Sequence, residues 1–321
     1  MLPENKFDTL EKKQLTTADF DILFQDHLSE FMQKRLELHP LWYRELSPDE
    51  YNQTLLKIIQ TILNPHLVSA GEHRFDDWEK GWSENFSELM NLLAAGNVQI
   101  DSIVPRYFGK HEFVRLNKSI VKPLSQNYEY HALCMIVDWL FDQYMRESDS
   151  IYEFGCGTGY HLLRLRTINP SAALYGLDWA PASQKIISLL VDNKYASNIY
   201  GQRFDYYNPD MTFRLNNDAA VYTVASLEQV GTNHNKFIDY LLDNRPALCI
   251  HVEPISELLD ENNLVDYLSI AYFRKRNYLS GFLTRLLELE RMDKIRIIKK
   301  QRTYIGSLFI EGHSVIVWAP R

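Results

Sequence analysis

Cysteine is scarce in this chain. Cys134, Cys156 and Cys249 are odd in number and far apart, which excludes a disulfide framework and a zinc ligand set and favours a reducing compartment. Positive charge is not in surplus. Lys+Arg number 34 against 42 Asp+Glu, a formal net charge of −8, so no global basic footprint for nucleic acid exists. Long apolar runs are absent; the most apolar stretch, 131–141, is broken by Asp138 and is too short to span a bilayer. The N-terminus, MLPENKFDTLEKKQ, lacks the basic-then-apolar profile of a signal peptide. Neither a fixed-period repeat nor a low-complexity segment stands out. The expectation is a soluble, cytoplasmic, globular protein with neither membrane nor nucleic acid as partner.

What the chain has in quantity is aromatic side chains: 19 Tyr, 16 Phe and 6 Trp. They suit a pocket for a flat ligand and, more simply, a well-filled core. Up to about residue 148 the texture is helical. Phe20, Leu23, Phe24, Leu28, Phe31 and Met32 form one amphipathic stripe. Further helices are predicted over Pro48–Leu63, behind the cap chemistry of Ser47, Asp49 and Glu50, over Asp76–Ala95, stopped by Gly96, and over Tyr128–Arg146. Between them, Val98–Gln126 reads as irregular or short-stranded and mixes aromatics with Arg106, Lys110, Arg115, Lys118 and Lys122. These cations are candidates for a phosphate or carboxylate on a ligand, against the plainer reading of a solvated face. Arg274, Lys275 and Arg276 read as solvated.

From Ser150 short apolar runs alternate with helical patterns, the signature of βαβ units and a parallel sheet. A long helix over Asn262–Glu290 and two strands close the chain. The first apolar run enters Glu153-Phe-Gly155-Cys156-Gly157-Thr-Gly159, and a helix follows at once. Glycines at such a turn let a ligand approach the main chain, and the helix start offers free N–H groups. A dinucleotide fingerprint wants a small residue where Tyr160 stands, and the Lys-Ser/Thr of a phosphate loop is missing. At the ends of the later strands, where open α/β sheets place ligands, His251 and Glu253 lie on one face and His234 follows the fourth strand. They are candidates for a base with its orienting partner; a metal reading lacks ligands.

The acid-x-G-x-G-x-G turn, with Asp178 ending the next strand 21 residues after Gly157, resembles the first motifs of class I S-adenosylmethionine-dependent methyltransferases. The order of elements from Tyr128 to the C-terminus is similar too. That resemblance implies a seven-stranded, mostly parallel α/β sheet with an antiparallel last strand and helices on both faces. It covers a methyltransferase domain at 127–321 and not residues 1–126, which on their helical texture are expected to form an all-helical extension that caps the acceptor or builds a homodimer. It implies S-adenosylmethionine as cofactor, held by Glu153, Gly155, Cys156, Gly157, Gly159, the ribose carboxylate Asp178, Trp179, Phe204, Asp205 and Ser226. Glu228, in the stretch Ser226-Leu-Glu-Gln-Val, then faces the space between cofactor and acceptor and joins His251 and Glu253 as a catalytic candidate. Tyr128, Tyr130 and Arg115 become lid candidates. The activity implied is in-line transfer of a methyl group to a small-molecule acceptor. The alternatives are a methyltransferase acting on a protein, a non-catalytic cofactor-binding subunit, or a nicotinamide-dependent oxidoreductase.

Overall fold

The computed structural model describes residues 10–98 and 100–321; residues 1–9, most of the polar N-terminus read above, lie outside them. The chain opens with strand β1 (Lys12–Gln14), helices α1 (Thr17–Phe24) and α2 (Glu30–Leu38), strand β2 (Trp42–Glu45), and helices α3 (Pro48–Leu63) and α4 (Phe75–Ala94). Strands β3 (Val114–Leu116) and β4 (Ser119–Pro123) follow, then helix α5 (Tyr128–Tyr144). The remainder alternates: β5 (Ser150–Phe154), α6 (Tyr160–Ile168), β6 (Ala173–Asp178), α7 (Pro181–Asp192), β7 (Ile199–Arg203), β8 (Ala220–Val224), α8 (Asn235–Asn244), β9 (Leu248–Glu253), α9 (Leu264–Arg276), α10 (Phe282–Arg291), β10 (Ile295–Arg302), β11 (Ile305–Gly306) and β12 (Ser314–Pro320).

Seven of these strands form one sheet in the order β10-β12-β9-β8-β5-β6-β7. Strands β5 to β9 pair in parallel, while β12 runs antiparallel between β9 and β10. The expected α/β sheet with its antiparallel last strand is present. The order of strands reverses at β5, whose C-terminal end therefore opens a crevice beside β8.

Three expectations are corrected. The extension is not all helical: β1, β2, β4 and β3 make a second sheet, in the order β1-β2-β4-β3-β11. β3 and β4 fall within the 98–126 stretch read as irregular or short-stranded, while β1 and β2, three and four residues long, are too short for alternation to declare them. β3 is anchored by pairing with β4 and with a strand from the far end of the chain, Ile305 opposite Leu116. The stripe over Phe20–Met32 is two helices, because Gln25 caps α1 in the left-handed region (φ 50°) and Ser29 caps α2 by accepting from Met32 N–H. The late helix is likewise two, broken by Asn277 (φ 53°) and Gly281. Helix α3 has the predicted bounds, and its Ser47–Glu50 capping box is formed.

One buried apolar cluster runs from Leu15 through α5 to Val317, so residues on both sides of position 126 share a core. Buried ionic contacts tie the parts together. Arg302 donates to both Asp266 oxygens at 2.7 Å and to Glu311 at 2.6 Å, with both carboxylates essentially out of water. Truncating the cation leaves two buried carboxylates unpaired. The Arg302→Met variant should lose about 3 kcal/mol of unfolding free energy in urea; a loss within about 0.5 kcal/mol would mean that the cluster contributes nothing net.

Candidate functional site

The crevice at β5 is a cleft of about 740 Å³, its open mouth included, within the range of small-molecule sites. Its floor is the glycine turn. Gly155, Gly157 and Gly159 have φ of 73°, 53° and 75°, a region that favours glycine. Two of them are also spatially obligatory. A Cβ at Gly155 would lie 2.4 Å from Ser226 Cβ, and one at Gly157 would lie 2.8 Å from Trp82 Cζ2. The turn is tied down from three sides. Gly155 N–H donates to Leu177 O at 2.7 Å, Thr158 Oγ1 donates to Ile103 O at 2.6 Å, and Gly157 N–H donates to Asp178 Oδ2 at 2.9 Å.

Asp178 takes a second amide, from Ala180, on Oδ1 at 3.0 Å. Two of the roughly four acceptor directions of its carboxylate are thus occupied, and the residue still lines the cleft. Burial pushes its carboxyl up to about 6, and the two amides hold it down against that push. Trp179 beside it meets Phe75 edge-on at 5.4 Å and stacks on Tyr207 at 6.0 Å. Phe204 shows the cleft one side of a ring that is otherwise packed among Phe154, Phe237 and Tyr240.

Ser226 closes the opposite wall. Its hydroxyl donates to Phe154 O at 3.0 Å, so its 3.0 Å contact with Tyr206 must be donated by the tyrosine. Ala225 before it has φ 47°, a strained conformation for a residue with a side chain. Glu253 holds it there: its carboxylate accepts the amides of Ser226, Leu227 and Glu228 at 3.1–3.2 Å.

The structure brings Gly155, Cys156, Gly157, Asp178, Trp179, Phe204 and Ser226 to one cleft, and Gly159 caps the helix beneath it. Others stand elsewhere. Glu153 lies under the floor, where Tyr222 donates to Oε2 at 3.1 Å and Oε1 meets His161 Nδ1 at 2.8 Å. Asp205 closes a turn, accepting Tyr207 N–H at 2.8 Å, and does not line the cleft. His251 is a satisfied core residue. The Trp318 indole donates to its Nε2 at 3.0 Å, so Nδ1 carries the proton toward Thr223 Oγ1 at 3.0 Å, and burial pushes the imidazole down to about 3. Glu253 is buried under the turn it anchors. Neither is placed to act as a base. His234 contacts Ser280 O at 3.0 Å and, like His251, meets the Phe282 ring edge-on. Among the described residues no group of three or more His, Cys, Asp or Glu is arranged to hold a metal.

The lid differs from the expected one. Arg115 is buried and donates to Leu308 O at 2.8 Å, while Tyr128 and Tyr130 pack in the core, Tyr130 against Arg164. Helix α4 covers the cleft instead. Trp78 and Trp82, one turn apart, stack at 5.6 Å over it. Their neighbour Glu79 accepts the Ala182 amide at 3.0 Å, capping α7 from another helix and fixing α4 in place. His161 is the other residue missed. It is 4% exposed, lines the cleft, and its Nε2 has no partner among the described residues. The Trp-x3-Trp spacing around an acidic residue and a histidine in the first turn after the glycines are the sequence signals for both.

Beside this cleft lies a second cavity of about 1090 Å³, open mouth included, which shares Trp78, Tyr107, Ala225 and Gln229 with it. Glu228 faces this second cavity. Of the cations set aside above, Lys110 and Arg276 reach it. Arg106 pairs with Glu88, Lys122 pairs with Glu112 at 2.7 Å, and Lys118 lies over the Tyr304 ring.

No family model and no curated protein matches the chain. Among solved structures it is similar to the N-methyltransferase NodS from Bradyrhizobium japonicum in complex with S-adenosylhomocysteine (12% identity, 60% of this chain and 87% of that one, TM-score 0.43). It is similar to the 16S rRNA methylase ArmA (13%, 74% and 98%, TM-score 0.44) and to magnesium protoporphyrin IX methyltransferase from Synechocystis (14%, 60% and 83%, TM-score 0.42). Likenesses of this depth carry no argument about activity. No helix among the described residues is long and apolar enough to cross a membrane.

An anion at Asp178 accepts from hydroxyl groups, and its protonated form offers one acceptor fewer. With the carboxyl near 6 in the free protein, affinity for a ribose-bearing ligand should be flat above that pH and fall by up to about tenfold per unit below it. Calorimetry with S-adenosylhomocysteine between about pH 5 and 8 measures this. The Asp178→Asn variant should bind more weakly throughout and lose the dependence; an unchanged slope in it would assign the titration to another group.

Proposed function

We propose that this protein transfers a methyl group from S-adenosylmethionine to a small-molecule acceptor by in-line displacement. The observation that carries the reading is the pair of adjoining compartments. A nucleoside-sized cleft built on a glycine turn and a carboxylate shares one wall with a second cavity lined by polar and aromatic side chains.

The residues of the first compartment fit this cofactor. Asp178 would take the ribose hydroxyls on its free acceptor directions. Trp179 and Tyr207 supply ring faces for a base. If Glu153 accepts the Nδ1–H of His161, the unpartnered Nε2 presents a lone pair to a donor in the cleft, and an ammonium is such a donor. The turn offers no equivalent room for a pyrophosphate, because the Trp82 indole lies against Gly157. That argues against a nicotinamide dinucleotide.

When bound, the cofactor supplies a methyl carbon on a sulfonium, an electrophile needing no further activation. The protein's share is alignment and exclusion of water. Trp78 and Trp82 over the cleft exclude solvent, and the rigid turn held by Glu253 sets the wall past which the acceptor must approach. The extension thus acts as a cap. A small acceptor fits a walled cavity better than a protein side chain on a flexible loop does. The acidic charge and scattered cations offer no phosphate-tracking surface.

S-adenosylhomocysteine should bind in calorimetry and NADH should not. Asp178→Ala should weaken that binding by about 2 kcal/mol, as expected when donors lose a charged partner. Transfer of tritiated methyl to a component of a small-molecule extract would separate an enzyme from a non-catalytic binding subunit. Tight NADH binding without S-adenosylhomocysteine binding would replace the reading.

A further inference from the structure

The second cavity is lined by charges of both signs. At its wall with the cofactor cleft stands Glu228, next in sequence to Gln229, which lines both spaces. Glu228 is 8% exposed. Its Oε1 accepts from Gln229 Nε2 at 2.9 Å, while Oε2 has no partner within hydrogen-bonding geometry among the described residues, Tyr278 and the Arg276 guanidinium being its nearest stabilising neighbours. Burial and the nearby Glu253 carboxylate push it up to about 8, so it is largely protonated at neutral pH and a cation bound beside it would favour the ionised form. A second carboxyl, Glu129, lines the same space. Arg276 also lines it, half buried, lying over the Tyr278 ring at 5.1 Å with its Nε unpartnered. Lys110 lines it and has no carboxylate partner among the described residues.

An unpartnered buried acceptor calls for a donor, and an ionised buried carboxylate is compensated by a cation better than by a neutral hydroxyl. Arg276, with its Nε unpartnered, and the exposed Lys110 offer donors to an anion in the same space.

The geometry points to an aminocarboxylate as the acceptor, its ammonium on Glu228 beside the cofactor cleft and its carboxylate on Arg276 and Lys110. This rests on the cofactor reading above. The transfer balances as an N-methylation. Glu228 takes one proton from the ammonium, and the freed nitrogen pair forms the N–C bond. The C–S bond breaks with its pair going to sulfur, and the product leaves as an N-methylammonium. Glu228 then acts as a base whose contribution is of the usual 10²–10⁴-fold order.

The test uses the full chain, tritiated S-adenosylmethionine and a panel of aminocarboxylates: the standard amino acids, aminobenzoates and dipeptides. Each is matched with its hydroxy-acid analogue and its decarboxylated amine. At least one aminocarboxylate should be methylated, with both of its matched analogues at least about tenfold poorer. Glu228→Gln should lower kcat by about 100-fold, with S-adenosylhomocysteine affinity unchanged. Arg276→Gln should raise KM about tenfold and erase the preference over the decarboxylated amine while kcat holds. A merely structural role would not separate kcat from KM in this way. Equal or better turnover of hydroxy acids, or cofactor binding with no aminocarboxylate methylated, overturns the assignment of the acceptor alone. Failure of S-adenosylhomocysteine to bind the unaltered protein overturns the cofactor reading beneath it.

Discussion

The bond from Gly157 N–H to the Asp178 carboxylate is the contact on which the site's geometry depends. It joins the turn after β5 to the end of β6, two neighbouring parallel strands. Because a β-strand fixes where its last residue lies, the carboxylate is delivered by the sheet and needs no loop to place it. The glycine turn is bonded to Leu177 O through the amides of Gly155 and Cys156 and reaches that fixed carboxylate with the amide of Gly157. The arrangement costs something, since the same burial that makes the carboxylate a strong acceptor also disfavours its ionisation. The two amides from Gly157 and Ala180 are the compensation, and a ligand's hydroxyls would extend the same pattern.

Around that contact the sheet supplies only the floor. The roof is α4, an element of the N-terminal extension, placed by the burial of Trp82 and Leu89 in the shared core and by a polar contact of Glu79 with the first turn of α7. A helix start has free amides, and a carboxylate reaching it from another helix gains both a hydrogen bond and the dipole's attraction. Trp78 and Trp82 follow on the same face of the helix. The Trp82 indole rests against Gly157, where any side chain would displace it. Glycine in this turn therefore serves the lid as well as the ligand. The extension is part of the site, which agrees with a core and a second sheet that both run across the nominal boundary.

Much of this was legible in the sequence, and the failures have physical reasons. The βαβ alternation, the glycine turn and Asp178 declare themselves because strand–turn–helix chemistry is local. Helices α3, α4 and α5 declare themselves through caps and periodicity. Periodicity does not register a single residue in the left-handed region, so Gln25 and Asn277 broke two apparent helices unannounced. β3 and β4 lie in the stretch that reads as short-stranded, whereas β1 and β2 exist through pairing with distant segments, which no local pattern encodes. His251 attracted attention by its place near a strand end. But β9 is a central strand, and same-face neighbours on β8 and β12, Thr223 and Trp318, use both ring nitrogens. Which face of a central strand meets a ligand is set by topology. His161, on the helix after the turn, has only one nitrogen engaged and the other toward the cleft.

The segment after β8 shows how one anchored turn can serve two compartments. Glu253 accepts three successive amides there, which leaves the side chains of Ser226 and Glu228 on opposite sides of the turn. Ser226 faces the first cleft and Glu228 the second. The backbone between them is locked by a buried carboxylate and by the Ala225 amide bonded to Val252 O at 3.0 Å. A methyl transfer tolerates little error in the line from sulfur through carbon to nucleophile. A rigid three-residue turn that sets both walls at once supplies that precision more cheaply than two independent loops would. It also accounts for the strain at Ala225, a conformation worth holding only where the surroundings dictate it.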